Sequence, residues 1–487
     1  MSTADAQFGP EVERLLAVGR APEALQAADR WTAAAAGSVG AWLARASAHM
    51  HLGRIDAADR DLETAAKLAP GDERVRFLHG LVDQQLGRTD ACLERLRGLT
   101  QPGGVHALEA WVAAGEMLWI ASRLDELRAW VERPGPWTGD PRHAMLAARV
   151  RAAADPEGAA AALEAIAGSD APPVVRRVAG FDAVRLLDRA GRYREAFALA
   201  GRVHAATGRP FNIEAFLAPV RGQQALLARG RWFTPQADPV DGLAMFVALP
   251  RSGTTLLEQM LDAHPEISGI GEYDGMRFLG EELSAMGRTG PALAQLTRPD
   301  AGRLQRTFLN DAQRRRRPGA RWMLDKNLRA WRMLPALAAV LPGTRCLHMV
   351  RDPRDMAISI HLSYFTPDRE GWTSSLETVR RVVEAQESIL PGALTALGLP
   401  HETVVYEDLV ADPAGHAARC LRLLGLGPSE RVLRPEANAR TALTLSHAQV
   451  KAPINASSIG RWRHYEWAFG PAWDALAARH DARRQAR

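Results

Sequence analysis

The chain has 487 residues, enough for roughly two to four domains of about 150 residues each, and its 47% apolar and 24% charged residues are those of a globular protein. Gly 41 and Pro 30 exclude a collagen-like or wholly disordered chain. Basic residues number 61 against 56 acidic ones, a formal charge of +5, which is too mild an excess to single out a nucleic-acid or membrane partner.

Cys92, Cys346 and Cys420 are far apart and odd in number, so they supply neither a disulfide framework nor a four-cysteine zinc site, and a reducing compartment suits them. The stretch from Met1 to Arg14 is polar and acidic, without the apolar core of a leader, and no run of about eighteen apolar residues occurs anywhere. The expected location is the cytoplasm, with no membrane and no nucleic acid among the partners.

The first 200 residues are rich in Ala and Leu at helical spacing, which predicts packed amphipathic helices. A period is visible: Gly19, Gly53 and Gly87 stand 34 residues apart, each followed by Arg and, five positions on, by Ala24, Ala58 and Cys92. In the middle copy Trp42 precedes Gly53, and Ala65 and Pro70 follow it. Small residues at such positions let two antiparallel helices approach closely, and stacked pairs bury the face one pair leaves open. The pattern resembles the tetratricopeptide repeat. Ala121 stands where the next Gly is due, Pro134 to Pro136 interrupt the register, and "AGRYREAFALA" around Gly191 restores it, so five or six repeats are expected over about 1–210. Trp42 and Trp111 are expected in the core. The resemblance implies an array that binds a peptide or protein or mediates self-association, with structural support for the next domain as the alternative.

From Phe211 to Asp241 this texture gives way to a Pro-containing linker, and from Leu243 onward short apolar runs alternate with helices, an α/β signature. "LAMFVAL" predicts a buried strand, and "PRSGTTLLEQMLDAHP" a tight turn opening a helix. Backbone N–H groups of Ser252, Gly253, Thr254 and Thr255 at that helix start form an anion site, to which Arg251 adds charge. Against the nucleoside-triphosphate loop G-x-x-x-x-G-K-[ST], Ala248 replaces the first Gly and Thr254 the Lys. Without that Lys an ATPase or ordinary kinase is disfavoured, and a nucleotide bearing a 5′-phosphosulfate fits better. A second strand, "TRCLHMV", leads into "RDPRDMAIS", placing Arg351 at its end and Ser359 on the helix beyond, a pair suited to a second phosphate.

The two motifs together resemble the sulfotransferases that use 3′-phosphoadenosine 5′-phosphosulfate (PAPS), and "PRSGTTLLEQMLDAHPEISGIGEYD" is most similar to the tyrosylprotein sulfotransferases. The resemblance spans roughly Gly242 to Trp462. It implies that Arg251, Ser252, Gly253, Thr254 and Thr255 hold the phosphosulfate, that Arg351 and Ser359 hold the 3′-phosphate, and that Tyr406 in "VVYEDL" contacts the nucleotide. Ser446, Asn455 and Arg461 would belong to the loop that closes over it, with Arg461 standing where the family carries Lys.

Sulfuryl transfer is like phosphoryl transfer in that the protein mainly positions groups and neutralises charge, so no metal is expected. The resemblance makes Glu272 in "GIGEYD" the base that takes the acceptor's proton, with His264 as a rival whose place before Pro265 better suits a helix-end contact. Lys326 in "MLDKNLRAW" would stabilise charge on the leaving phosphate oxygen, aided by Ser446 and Arg251. The run Arg314 to Arg317 reads as a solvated helix end or an acceptor-docking site, and Arg354 and His361 as surface residues or phosphate contacts. The expected architecture is an all-α repeat solenoid over 1–210, a linker over 211–240 and an α/β P-loop-like sulfotransferase domain with a parallel sheet over 241–487. The expected reaction is transfer from PAPS to an acceptor hydroxyl, tyrosine of a peptide or protein being favoured over a saccharide or small molecule; an inert nucleotide-binding domain serving a repeat scaffold is the alternative class.

Overall fold

The computed structural model describes residues 3–438 and 453–485. The chain divides into two compact units, Met1–Asp155 and Pro156–Arg487.

The first unit is all helix, from Thr3–Ala17 to Pro141–Arg151. Its hairpins turn on one recurring device. Gly19, Gly53 and Gly87 have φ of 74°, 70° and 73°, the left-handed conformation that a glycine adopts without steric cost. In each turn the next residue, an Arg, donates its backbone N–H to a carbonyl five residues back: Arg20 to Leu15, Arg54 to His49 and Arg88 to Asp83, at 2.8–2.9 Å. Where Ala121 occupies the glycine's place by count, the left-handed residue is Ser122 at φ 59°, and Arg123 makes the same bond to Leu118. The turn has therefore moved one residue along, and its geometry survives without glycine. Five positions beyond each turn residue, Ala24, Ala58, Cys92 and Leu127 are fully buried. Trp111 is likewise fully buried, whereas Trp42 is only partly so, its indole N–H on the Ala36 carbonyl and Arg45 over its face at 4.5 Å.

The second unit opens with further helices. Helices α1 (Pro173–Arg189) and α2 (Tyr193–Thr207) form a hairpin on Gly191, φ 75°, and Ala196 is buried five residues later. The stretch 211–240, expected as a linker, carries helix α3 (Ile213–Leu227), whose Leu217 and Val220 join the core of the following sheet. That sheet has five strands, β1 (Leu243–Val247), β2 (Ile267–Gly271), β3 (Trp322–Asp325), β4 (Arg345–Val350) and β5 (His401–Val405), in the order β2-β3-β1-β4-β5 with every pairing parallel. Along β1, Leu243, Met245 and Val247 pack into one hydrophobic cluster, and Ala244 and Phe246 into another. Both faces are covered, which explains why these strands read as continuous apolar runs rather than alternating ones. Helix α4 (Thr254–Asp262) follows β1, and α5 (Pro353–His361) follows β4.

All three cysteines are buried free thiols, which burial pushes up to about 12. Among the described residues no helix is long and apolar enough to cross a membrane.

Candidate active site

The five parallel strands end on one edge of the sheet, and the chain just beyond each delivers a residue singled out above: Arg251 to Thr255 after β1, Glu272 after β2, Lys326 after β3, Arg351 after β4 and Tyr406 after β5. This edge is where parallel α/β sheets present groups to ligands.

The β1 turn has an unusual backbone. Arg251 has φ 67° and Gly253 φ 96°. For Arg251 the left-handed conformation costs about 1–2 kcal/mol, and bonds at both ends of the residue hold it there. Its carbonyl accepts from Arg351 Nη1 at 2.8 Å, and its Nε donates to Ser359 Oγ at 2.8 Å. A Cβ on Gly253 would lie 2.3 Å from Cδ2 of Tyr406, so this position tolerates glycine alone on two grounds, conformation and space. Ser252 Oγ donates to the Leu249 carbonyl at 2.7 Å, closing the turn. Among the described residues the N–H groups of Ser252, Gly253 and Thr254 donate to no carbonyl, as expected where a helix begins, and so remain available to an anion.

The β1 turn and the β4 element thus form one constellation. Besides its bond to Arg251, Arg351 donates Nη2 to the Ser458 carbonyl and lies over the Tyr406 ring at 4.7 Å, while its buried Nε has no partner among the described residues. Burial, reinforced by the charges of Arg351 and Arg461, pulls the Arg251 guanidinium down to about 10. A cluster of guanidiniums that lowers one member's proton affinity favours an anion among them.

On the other side of β1, Lys326 is buried, 1% exposed, and its Nζ donates to Glu272 Oε1 at 2.6 Å. The Glu272 side chain is half exposed, 52%, so one end of the pair faces solvent. The Lys326 backbone N–H meets the Gly271 carbonyl at 2.9 Å, which fixes the start of one turn against the end of the other. Neighbouring Asp325 is fully buried, and burial pushes its carboxyl well above the ordinary range, favouring the neutral form.

Asn455 is exposed and bonds within its own segment, donating to the Pro453 carbonyl and accepting from the Ser457 N–H. Ser446 lies outside the described residues. Arg461 is hydrogen-bonded to Asp188 of α1. His264 Nδ1 accepts from the Glu266 N–H at 3.2 Å, a turn contact rather than a base's position. Within the arginine run, Arg317 grips the α4–β2 turn through the carbonyls of Asp262, His264 and Ile267, and Arg315 lies over Tyr273, so these two are structural. Arg354 is chelated by Asp352 and covered by Trp462 at 3.6 Å, and His361 is buried against His204.

One residue missed by sequence reasoning is Asp355. It accepts from the backbone N–H groups of Gly460 and Trp462 at 2.6 and 2.8 Å, clamping that segment beside Arg351. Its place in the first turn of the helix that follows Arg351 was a usable signal, since an acid there can accept backbone N–H groups brought to it by another segment.

Comparison with known proteins bears on this region: residues 244–430 match the sulfotransferase family model. Protein-tyrosine sulfotransferase 1 of Danio rerio is 28% identical over 238 residues, covering 44% of this chain and 63% of that protein. Nodulation protein NoeE of Sinorhizobium fredii is 30% identical over 220 residues, covering 39% and 52%. Among solved structures, the sulfotransferase domain from the Synechococcus PCC 7002 olefin synthase aligns with a TM-score of 0.36 at 20% identity, over 50% of this chain and 96% of that one. The chain spans less than two thirds of the length of the curated relatives it matches, from 43% to 63%.

Proposed function

We propose that the sulfotransferase domain moves a sulfuryl group from PAPS to an acceptor hydroxyl, and that the acceptor is a tyrosine of a peptide or protein. The observation that carries the first part is the bonded chain Ser359–Arg251–Arg351, which joins the N–H cradle after β1 to the phosphate-type site after β4. Two anion sites that share Arg251 suit one nucleotide phosphorylated at both ends, and the unpartnered Nε of Arg351 leaves a donor in place for it.

In this reading Arg251 to Thr255 hold the 5′-phosphosulfate, Arg351 and Ser359 the 3′-phosphate, and Tyr406 packs against the cradle at Gly253. The donor supplies an activated sulfuryl group. The acceptor oxygen forms a bond to sulfur as the bond from sulfur to the bridging phosphate oxygen breaks, Glu272 takes the hydroxyl proton, and Lys326 neutralises the oxygen that leaves with the bisphosphate. The Lys326–Glu272 pair is then the resting arrangement. A bound phosphosulfate attracts Lys326 and releases Glu272 to accept a proton, so base and electrostatic stabiliser are armed by one event.

Similarity to a protein-tyrosine sulfotransferase supports tyrosine as acceptor, and the helical repeats of Met1–Asp155 would suit a polypeptide partner. We place the protein in the cytoplasm on its buried free thiols. The test is transfer of labelled sulfate from PAPS to a panel of tyrosine peptides, oligosaccharides and phenols, beside melting shifts with 3′,5′-bisphosphoadenosine and ATP. Label on tyrosine peptides with a shift by the bisphosphate is the expected result. Label on saccharides alone overturns the acceptor, and a shift by ATP alone overturns the donor.

A further inference from the structure

The segment from Ser458 to Trp467 is held from two sides. On one side Arg351 takes the Ser458 carbonyl and Asp355 takes the N–H groups of Gly460 and Trp462. On the other, the α1–α2 hairpin grips it: Asp188 accepts from the Arg461 guanidinium and, at 2.7 Å, from the Tyr465 hydroxyl, Tyr193 stacks on His464 at 4.4 Å, and Arg194 lies over Trp467 at 4.2 Å. Tyr465 is fully buried, so this is a packed seam rather than a chance surface pair.

Arg461 is the informative member. It stands between Gly460 and Trp462, whose N–H groups Asp355 holds, three residues beyond the Ser458 carbonyl that Arg351 takes, and its charge adds to the lowering of Arg251. Among the described residues Asp188 is its one hydrogen-bonding partner, through a single amino nitrogen, so the rest of the fork remains available. A long cation binding an anion gives up rotamer freedom, and a carboxylate that already fixes the side chain removes that cost from the binding step.

We propose that Asp188 is a positioning residue for the donor nucleotide: it holds Arg461 in the electrostatic field of the cradle and keeps the 458–467 strap on Arg351, at the end that takes the 3′-phosphate. The α1–α2 hairpin, outside the matched family segment 244–430, thereby takes part in donor binding. This inference rests on the donor assignment proposed above.

Asp188→Asn keeps the acceptor for the Tyr465 hydroxyl and removes the charge that orients Arg461. Calorimetry with the full chain is expected to show a dissociation constant for 3′,5′-bisphosphoadenosine raised about 5- to 10-fold, the size of a modest coupling between sites, with little change for adenosine 5′-phosphate. In Asp188→Asn/Arg461→Gln the loss is expected to equal that of Arg461→Gln alone, because the aspartate acts through the arginine. Tyr465→Phe, which leaves the ion pair intact, is expected to lower the melting temperature and leave bisphosphate affinity within about twofold. Fully additive losses, unchanged affinity in Asp188→Asn, or an equal loss in Tyr465→Phe would each reduce Asp188 to a packing role. A folded wild-type chain that binds no bisphosphate would remove the donor assignment and this inference with it, an outcome distinct from the other three.

Discussion

Two buried ionic clusters, one in each unit, use the same residue types to different ends. In Met1–Asp155, Asp59 and Asp83 are 1% and 0% exposed, and arginines occupy them: Arg88 forks onto Asp59 at 2.8 and 2.9 Å and reaches Asp83 at 3.3 Å, Arg95 meets Asp83 at 2.7 Å, and His79 Nε2 lies 3.2 Å from Asp59. Asp59, His79 and Asp83 are close enough together to suggest a metal, but guanidiniums already fill that role. At the sheet edge the cations crowd one another: Arg351 has a buried Nε with no partner among the described residues, and the charges of Arg351 and Arg461 add to the lowering of Arg251. In the first cluster both carboxylates are met by cations, and the network holds helices in register. An unsaturated one has capacity for a ligand.

The sharpest way to break this contrast is at Lys326. Replacing it with Ala removes a buried cation aimed at developing charge, and turnover is expected to fall about 10²- to 10³-fold, with donor affinity changed much less. Lys326→Met, which keeps the packed stem, should show the same loss. Wild-type turnover in both variants would mean that the Lys326–Glu272 pair is structural, like the Asp59 cluster.

The converse substitution, Asp59→Ala, is expected to act on stability instead. Burial works to raise the Asp59 carboxyl, and hydrogen bonds from His79 and Arg88 outweigh it, holding it below the ordinary range. Removing it leaves His79 buried without its partner and Arg88 with Asp83 alone, at a cost of about 2 to 3 kcal/mol, reduced from the usual buried-pair figure because Arg88 is 40% exposed. Denaturant titration of the variant measures this, and undiminished stability would show that the cluster is dispensable. The sign of its pH dependence follows from the lowered value. Its contribution is present above about pH 4 and is lost as pH falls toward the folded-state value.

The sequence revealed most of the sheet-edge site because each of its parts is local. A buried run followed by "PRSGTT" specifies strand, turn and helix start within a dozen residues, and "RDPRDMAIS" places Arg351 and Ser359 on consecutive elements. What stayed hidden depends on long-range approach. Asp188 and Arg461 are 273 residues apart, and neither position carries a pattern that names the other. The arginine run misled for a related reason: charge in sequence looks solvated until the fold brings carbonyls to it, as happens at Arg317. In the helical unit the period was legible from Gly19, Gly53 and Gly87, whereas the left-handed turn at Ser122 had no glycine to announce it.

The last prediction concerns a pair that belongs to neither cluster and sets a third standard, burial without charge. His204 of α2 faces the Arg177 guanidinium at 3.2 Å through Nδ1 and the His361 carbonyl at 2.9 Å through Nε2. That geometry fixes the neutral tautomer with the proton on Nε2, because the carbonyl requires a donor and Arg177 an acceptor. Burial, with Arg177 adding to it against the opposing carbonyl bond, lowers His204 to about 4, and burial and His204 together lower His361 to about 3. In the unfolded chain both take a proton below about pH 6.5, so folding must expel it. Stability is therefore complete above that pH and falls as pH drops toward 4, by up to about 1.4 kcal/mol per pH unit for each group. Partly buried His49, lowered chiefly by desolvation, acts with the same sign in Met1–Asp155. Urea titrations at pH 7.5, 6 and 5 measure the slope, and His204→Gln, whose amide still donates to the His361 carbonyl, should flatten it by one group's share. An unchanged slope in that variant would mean that folding keeps the His204 proton, with both ring nitrogens protonated, and would overturn the neutral assignment.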